Sequence, residues 1–246
     1  QSKIEFKHTS FLILIKDEEF FSKKLVNHIN SQNVTAEFII ADGSKKKQKN
    51  IFNKLIPKKK YYYFGEDKDL KTFLQKKLKG INKCTKKFIF FCDQDHLINF
   101  KALKNDEEFL LRNKDYSAVG GRVYFFIYIK DKIKIIKQLF GVYYFDFKFF
   151  FFKYCFNINF RSHHYLQRKK NVKKIWSLIV KHKFEDIRSA MFVEDLLTLI
   201  LGKVKYHYST TVITWAGIKK RDVKKNSIHF VNTAHKNRYE WFKYFF

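Results

Sequence analysis

Proline is nearly missing from this chain: Pro57 is the only one in 246 residues, and glycine is scarce at eight. With neither clustered, no Pro/Gly/Ser-rich stretch can serve as a linker, and no internal repeat is visible. The chain therefore reads as one domain over residues 1–246. The three cysteines, Cys84, Cys92 and Cys155, have neither the even count nor the spacing of a disulfide framework or a zinc site. A reducing compartment follows.

Acidic residues are also in short supply, 23 against 51 Lys and Arg, for a formal net charge of +28. A field of that sign concentrates polyanions. Here the lysines are spread along the whole chain and accompany many Phe, Ile, Asn and Tyr, the bias of an AT-rich coding sequence. The charge is read as a solvated surface, with no dedicated nucleic-acid partner. Long hydrophobic runs are lacking too. The most apolar stretch, LFGVYYFDFKFFFFKYCFNINF from Leu139, is interrupted by Asp146, Lys148 and Lys153, whereas a spanning helix needs about 20 nearly uncharged residues. It reads as buried strand and loop, with contact to a membrane surface or an apolar acceptor as the alternative. The first apolar run, Phe11 to Ile15, is far too short for a signal-peptide core. A cytoplasmic location is expected, and peripheral association at the inner face of the membrane is compatible with it.

What is present is 46% hydrophobic residues, enough for a substantial core, arranged as short apolar runs alternating with amphipathic ones. FLILI at 11–15, EFIIA at 37–41, YYYF at 61–64 and FIFFC at 88–92 have strand character. Between them, 17–29 places Phe20, Phe21, Leu25 and Ile29 at helical spacing, and 49–55 reads as part of a helix. A third helix begins near Asp67, carries Leu70, Phe73, Leu74 and Leu78 on one face, and ends at Gly80. A helix from Phe100 capped by Asn99, a strand from Ser117, a helix through MFVEDLLTLIL and an extended run YHYSTTVITW follow. Strands separated by helices predict an α/β fold with a central, mostly parallel sheet flanked by helices. Ligands of such sheets bind beyond the carboxyl ends of the strands. Asp42, and the pair Asp93 and Asp95, stand at those ends.

Two carboxylates at a strand end suit a hard divalent cation, Mg²⁺ or Mn²⁺. The alternative for Asp93 and Asp95 is helix capping, although Asn99 is better placed for that. Glu194 and Asp195 lie between Met191, Phe192, Val193 and Leu196, Leu197. Two adjacent charges in that setting are costly unless they face a cleft or find partners; the alternative is an exposed acidic turn at a helix N-terminus.

EFIIADGS, FIFFCDQDHL and FVEDLLTLIL, in this order, resemble the nucleotide-sugar glycosyltransferases of the GT-A fold, particularly the family 2 group. The likeness covers roughly residues 10–125 and returns around 190–215. The resemblance implies a Rossmann-like GT-A fold, with residues 1–125 holding the nucleotide sugar and 126–246 the acceptor. It implies nucleoside contact at Asp42 and Gly43, a shared nucleotide and metal role for Asp93 with Gln94 beside it, and the cation at Asp95. It also implies Asp195 as general base and Glu194 orienting the acceptor, a glycan, a lipid-linked group or another hydroxyl. Inversion at the sugar is inherited from the likeness. A P-T-Y-N-type loop common after the first strand of relatives is replaced by KDEEF. His229 or His235 could add to a metal shell; Arg161, His163 and His164 could touch phosphate or acceptor; Trp215 and Trp241 could stack on a sugar, though packed aromatics are the commoner explanation. Two rival functions are a non-catalytic polyanion- or sugar-binding relative of the fold and a nucleotidyltransferase. The latter lacks a Gly-rich triphosphate loop near the first strand.

Overall fold

The computed structural model describes residues 3–129, 132–138, 162–182, 184 and 186–215. Strand β1 (Ile4–Ile15) is followed by α1 (Glu19–Ser31), β2 (Val34–Asp42), the single turn α2 (Lys49–Phe52), β3 (Lys59–Tyr63), α3 (Leu70–Lys83) and β4 (Phe88–Asp93). A short β5 (His96–Ile98), α4 (Phe100–Arg112), the long β6 (Tyr116–Ile129) and β7 (Lys132–Gln138) come next. A 3₁₀ turn (Ser162–His164), β8 (Leu166–Arg168), α5 (Lys169–Lys181), α6 (Ile187–Ile200) and β9 (Lys203–Trp215) complete the described chain.

The strands form one sheet in the order β3-β2-β1-β4-β8-β6-β9-β5, and β7 pairs with β6. The half from β3 to β4 is parallel throughout. Beyond it the sheet is mixed: β8 runs antiparallel to β4 and β6, β6 and β9 are parallel, and β5 is antiparallel to β9. Helices cover both faces, which is why the inner strands are apolar along their whole length. In β1, Phe11, Ile13 and Ile15 face α1 and α4 with Leu25, Ile29, Phe100 and Leu103. Leu12 and Leu14 face α3, α5 and α6 with Leu74, Ile81, Ile175, Trp176 and Val193. Phenylalanine rings fill the first layer: Phe11 stacks on Phe38 at 5.1 Å and meets Phe100 edge-on at 5.4 Å.

Several expected boundaries move, each for a local reason. Helix α3 starts at Leu70, because Asp69 accepts from Thr72 N while the Thr72 hydroxyl returns the bond in a capping box. Gly80 does not end that helix. It sits inside it, where a Cβ would lie 2.8 Å from Leu12 Cδ1, so it lets the helix approach the sheet. Phe20 is 49% exposed, because the apolar stripe of α1 runs through Phe21, Leu25, Val26 and Ile29. The apolar stretch from Leu139 and the aromatic tail after Trp215 lie outside the described residues. Among the described residues, no helix is long and apolar enough to cross a membrane.

Asn99 caps α4 as expected, its Oδ1 accepting from Ala102 N at 3.2 Å. Its Nδ2 also donates to Thr210 O of β9 at 2.9 Å. Asn99→Ala removes both bonds and should cost about 1–2 kcal/mol; a urea midpoint unchanged from wild type would show that neither bond matters.

Candidate functional site

Three strands deliver the site. β1 ends at Ile15, which is in register with Asp42 of β2, and Leu14 is in register with Asp93 of β4. The two acids thus flank the end of β1, where the chain order reverses direction across the sheet, and neighbouring strands about 4.8 Å apart place them roughly 10 Å from one another.

Asp42 is fully buried and its carboxylate is occupied: Oδ1 accepts from Ser44 N at 2.8 Å, and Oδ2 accepts from Gln48 N at 2.9 Å and from the Tyr61 hydroxyl. Burial and the adjoining Asp42 carboxylate raise the Tyr61 phenol above its ordinary range. Gly43 donates to Ile15 O at 3.0 Å and accepts from Asp67 N at 2.8 Å. A Cβ on Gly43 would meet the Asp67 carboxylate at 2.2–2.5 Å, so any side chain there would force Asp67 to move. Asp67 is paired with Lys76, which also donates to Ile15 O at 2.9 Å.

The KDEEF segment is a tight turn in which Asp17 and Glu18 have φ of 53° and 27°, a region non-glycine residues seldom occupy. Its neighbours hold it there. Asp17 N donates to Ser44 Oγ at 2.8 Å, and Asp17 Oδ1 accepts from Lys45 N at 2.9 Å. Gln94 clasps the same turn from the other side: Lys16 N donates to its Oε1 at 2.8 Å and its Nε2 donates to Lys16 O at 3.1 Å.

Asp93 and Asp95 sit in unlike surroundings. Asp93 Oδ2 lies 2.9 Å from His163 Nε2 and 3.8 Å from His96 Nε2. Burial opposes its ionisation, but the His163 and His96 rings and the Lys77 ammonium hold its carboxyl well below the usual carboxylate range. Asp95 is pushed the other way by burial and by the Asp93 charge, against the pull of His96 and a 3.2 Å hydrogen bond from the Thr214 hydroxyl. Burial lowers the affinity of His96 for a second proton, with both carboxylates opposing.

Among the described residues, the donor atoms gathered closely enough to hold a cation belong to Asp93, His96 and His163, all within 4.8 Å of one another. The hydrogen-bond partners decide the tautomers. Asp93 N donates to His96 Nδ1 at 3.1 Å, so the His96 proton resides on Nε2, facing the carboxylates. An ammonium has only protons to offer, so His163 Nδ1, 3.2 Å from Lys77 Nζ, accepts and the Nε2–H of His163 points at Asp93. In this arrangement His163 donates to Asp93, while the His96 Nε2–H faces Asp93 and Asp95 from 3.8 and 4.0 Å.

Behind His163 lies a buried cluster that the sequence did not announce. The Lys77 ammonium is 3.9 Å from the ring centre of Phe91 and 3.8 Å from that of Trp176, a cation between two aromatic faces. It reaches Glu194 Oε2 at 3.4 Å, while Glu194 Oε1 accepts from Trp176 Nε1 at 2.9 Å. The acidic pair is not at a helix start: Asp186 caps α6 by accepting from Ser189 N at 2.9 Å, which leaves Glu194 and Asp195 in the middle of the helix. The exposed-turn alternative is thereby removed. Glu194 is buried and engaged with Lys77 and Trp176; Asp195 is half-buried. The Asp195 charge reaches Lys77, and with Tyr206 and Asp106 it adds to the burial that raises the Tyr165 phenol.

His96, Lys77 and Trp176 are members of the site that the sequence reading passed over. His96 follows Asp95 directly, and that adjacency was its signal. His163 and His164 are buried beside the site, their rings 6.0 and 5.2 Å from that of His96. Arg161, His229, His235 and Trp241 lie outside the described residues, and of Trp215 only the backbone is described.

No family model matches the chain, and no curated protein matches it. Solved structures do. The chain is similar to S. aureus TarS, a glycosyltransferase, with a TM-score of 0.54 at 12% identity over 85% of this chain and 37% of that one. TarS 1–349 gives a TM-score of 0.51 at 14% identity, and its complex with UDP gives 0.52 at 12%, each over 85% of this chain and 60% of that one. The chain thus spans 37% to 60% of the length of these structures. What it shares with them is the fold, a Rossmann-like α/β sheet flanked by helices.

Proposed function

We propose that the protein is a GT-A glycosyltransferase of the family 2 kind, moving a sugar from a nucleotide diphosphate donor to an acceptor hydroxyl with inversion. The observation that carries the proposal is the meeting of three strand ends with α6: Asp42, Asp93 and Asp95 stand at the switch-point edge, and Lys77 and His163 tie that edge to the helix bearing Asp195. The D-G-S, D-x-D and E-D order of the sequence and the fold shared with TarS support it.

In this reading residues 1–125 hold the donor and 126–246 the acceptor. The Asp42–Ser44 turn shapes the nucleoside floor, with the bare Gly43 backbone packed against the Asp67 carboxylate. Gln94 fixes the β1 turn against the D-x-D segment. Asp93 and Asp95 would hold Mg²⁺ or Mn²⁺, which would supply Lewis-acid stabilisation of the charge on the departing diphosphate. The acceptor oxygen attacks the anomeric carbon from the side opposite the diphosphate. Its proton passes to the Asp195 carboxylate, and the breaking C–O bond leaves its electron pair on the diphosphate. Glu194, which the resemblance makes the residue that orients the acceptor, is buried with its oxygens on Lys77 and Trp176, and in this reading it acts on the acceptor only by supporting the helix turn from inside. The acceptor is a glycan, a lipid-linked group or another hydroxyl, and work at the cytoplasmic membrane surface fits a basic protein of this kind.

The test is a thermal-shift panel of UDP-, GDP- and dTDP-sugars with and without Mn²⁺. UDP belongs in it because TarS 1–349 has been crystallised with UDP. One nucleotide sugar at a hundred times its dissociation constant should stabilise the fold by about 2.7 kcal/mol, and EDTA should remove much of that gain. A second reading, supported by the net charge of +28, is polyanion binding without catalysis. Melting that ignores every nucleotide sugar but rises with an acidic polysaccharide, in a salt-dependent way, would replace the first reading with the second.

A further inference from the structure

We infer that Lys77 is a positioning residue that fixes the distance between the donor end and the acceptor end of the site, an inference that rests on the glycosyltransferase reading. One buried ammonium touches both ends. Toward the donor side it donates to His163 Nδ1 at 3.2 Å, and His163 Nε2 meets Asp93 at 2.9 Å. Toward the acceptor side it meets Glu194 Oε2 at 3.4 Å, one residue from Asp195 on the same turn of α6. These contacts join the consecutive α3 and β4 to the 3₁₀ turn and to α6, across sequence separations of 70 to 117 residues.

The surroundings limit the freedom of every member. Lys77 is held between the Phe91 and Trp176 rings, the His163 ring lies parallel to Phe91 with centroids 5.4 Å apart and 3° between planes, and Trp176 Nε1 fixes the far oxygen of Glu194. Burial lowers the affinity of Lys77 for its proton, and the charges of Glu194, Asp93 and Asp195 oppose that loss. A buried ion pair adds little to stability compared with a well-packed apolar replacement. An apolar cluster could seal the same space, but it could not orient two carboxylates on different elements. That difference separates a positioning role from a purely structural one.

The test compares wild type, Lys77→Met, and Lys77→Met combined with Glu194→Gln, in UDP-sugar turnover with Mn²⁺, UDP calorimetry and thermal melting. Lys77→Met alone leaves a buried carboxylate unpaired and is expected to melt early. The double variant keeps an acceptor for Trp176 Nε1 and removes the stranded charge, so its melting should return close to wild type. Its kcat should stay at least 30-fold down while the UDP dissociation constant changes less than about fivefold. Recovery of kcat together with melting overturns the inference and leaves the glycosyltransferase reading intact. So does a double variant that fails to fold, which would make the cluster a folding element. A wild-type protein that neither binds nor turns over any nucleotide sugar overturns the glycosyltransferase reading, and the inference falls with it.

Discussion

Asp195→Asn is expected to lower kcat by about 10²–10⁴-fold, the usual contribution of a positioned general base. The amide has the shape of the carboxylate but cannot take the acceptor proton, so nucleotide binding, which does not use that proton, should change only a few-fold. The adjacent Glu194 cannot stand in. Glu194 is turned into the core, with Lys77 on one oxygen and Trp176 on the other, and freeing it would strand the Lys77 cation in a buried site. Half-burial of Asp195 in mid-helix also makes the substitution mild for folding. The measurement is nucleoside diphosphate release in the presence of acceptor, alongside UDP calorimetry on the same preparation. Turnover within threefold of wild type would remove Asp195 as the base, and a loss of UDP binding equal to the loss of kcat would make it a donor contact instead.

The first half of the fold was legible because its signals are local. FLILI, EFIIA and FIFFC are each apolar on both faces, as strands covered by helices on two sides must be, and the helices between them carry one apolar stripe. Gly80 misled for a physical reason: glycine ends many helices, but here it opens space for Leu12 against α3. Helix α5 was missed although Val172, Ile175, Trp176 and Ile179 have helical spacing and are all buried, since the lysines around them read as a charged surface. The pairing of β6 with β9 and the three-residue β5 were beyond local reading, because both depend on contacts between segments nearly a hundred or more residues apart.

The site divides the same way. Carboxylates at strand ends are visible in a chain with few acids. Lys77 is one of 51 Lys and Arg residues, and nothing in its neighbourhood of QKKLK distinguishes it from Lys79, which does not reach the cluster. Its role follows from the helix phase that turns it toward Phe91 and from the packing of α5 that brings Trp176 over it. The adjacent acids of α6 show the same limit from the other side: the cost of burying charge requires partners, but only the folded chain says that Glu194 found them inside.

Asp95→Ala is expected to remove most of the stimulation by Mn²⁺, with kcat/KM falling by about 10²–10³-fold, since Lewis-acid stabilisation is worth several kcal/mol and each 1.36 kcal/mol is a factor of ten. The side chain is 23% exposed, accepts a bond from the Thr214 hydroxyl and faces His96 at 4.0 Å, so its loss removes a ligand without opening the core. Asp93→Asn should be no less damaging, by a different route. The hydrogen bonds at His96 Nδ1 and His163 Nδ1 leave both Nε2 protons pointing at the Asp93 carboxylate. An amide there accepts from His163 more weakly than an anion does, and leaves the His96 Nε2–H without a facing charge. The two variants should therefore part company in the apo protein: Asp95→Ala keeps the Asp93–His163 bond and melts near wild type, whereas Asp93→Asn loses it and melts lower. Turnover against Mn²⁺ concentration, Mn²⁺ calorimetry and apo melting curves separate the outcomes. An Asp95→Ala protein with an unchanged Mn²⁺ response would place the cation elsewhere, and the cluster of Asp93, His96 and His163 would be the first place to look.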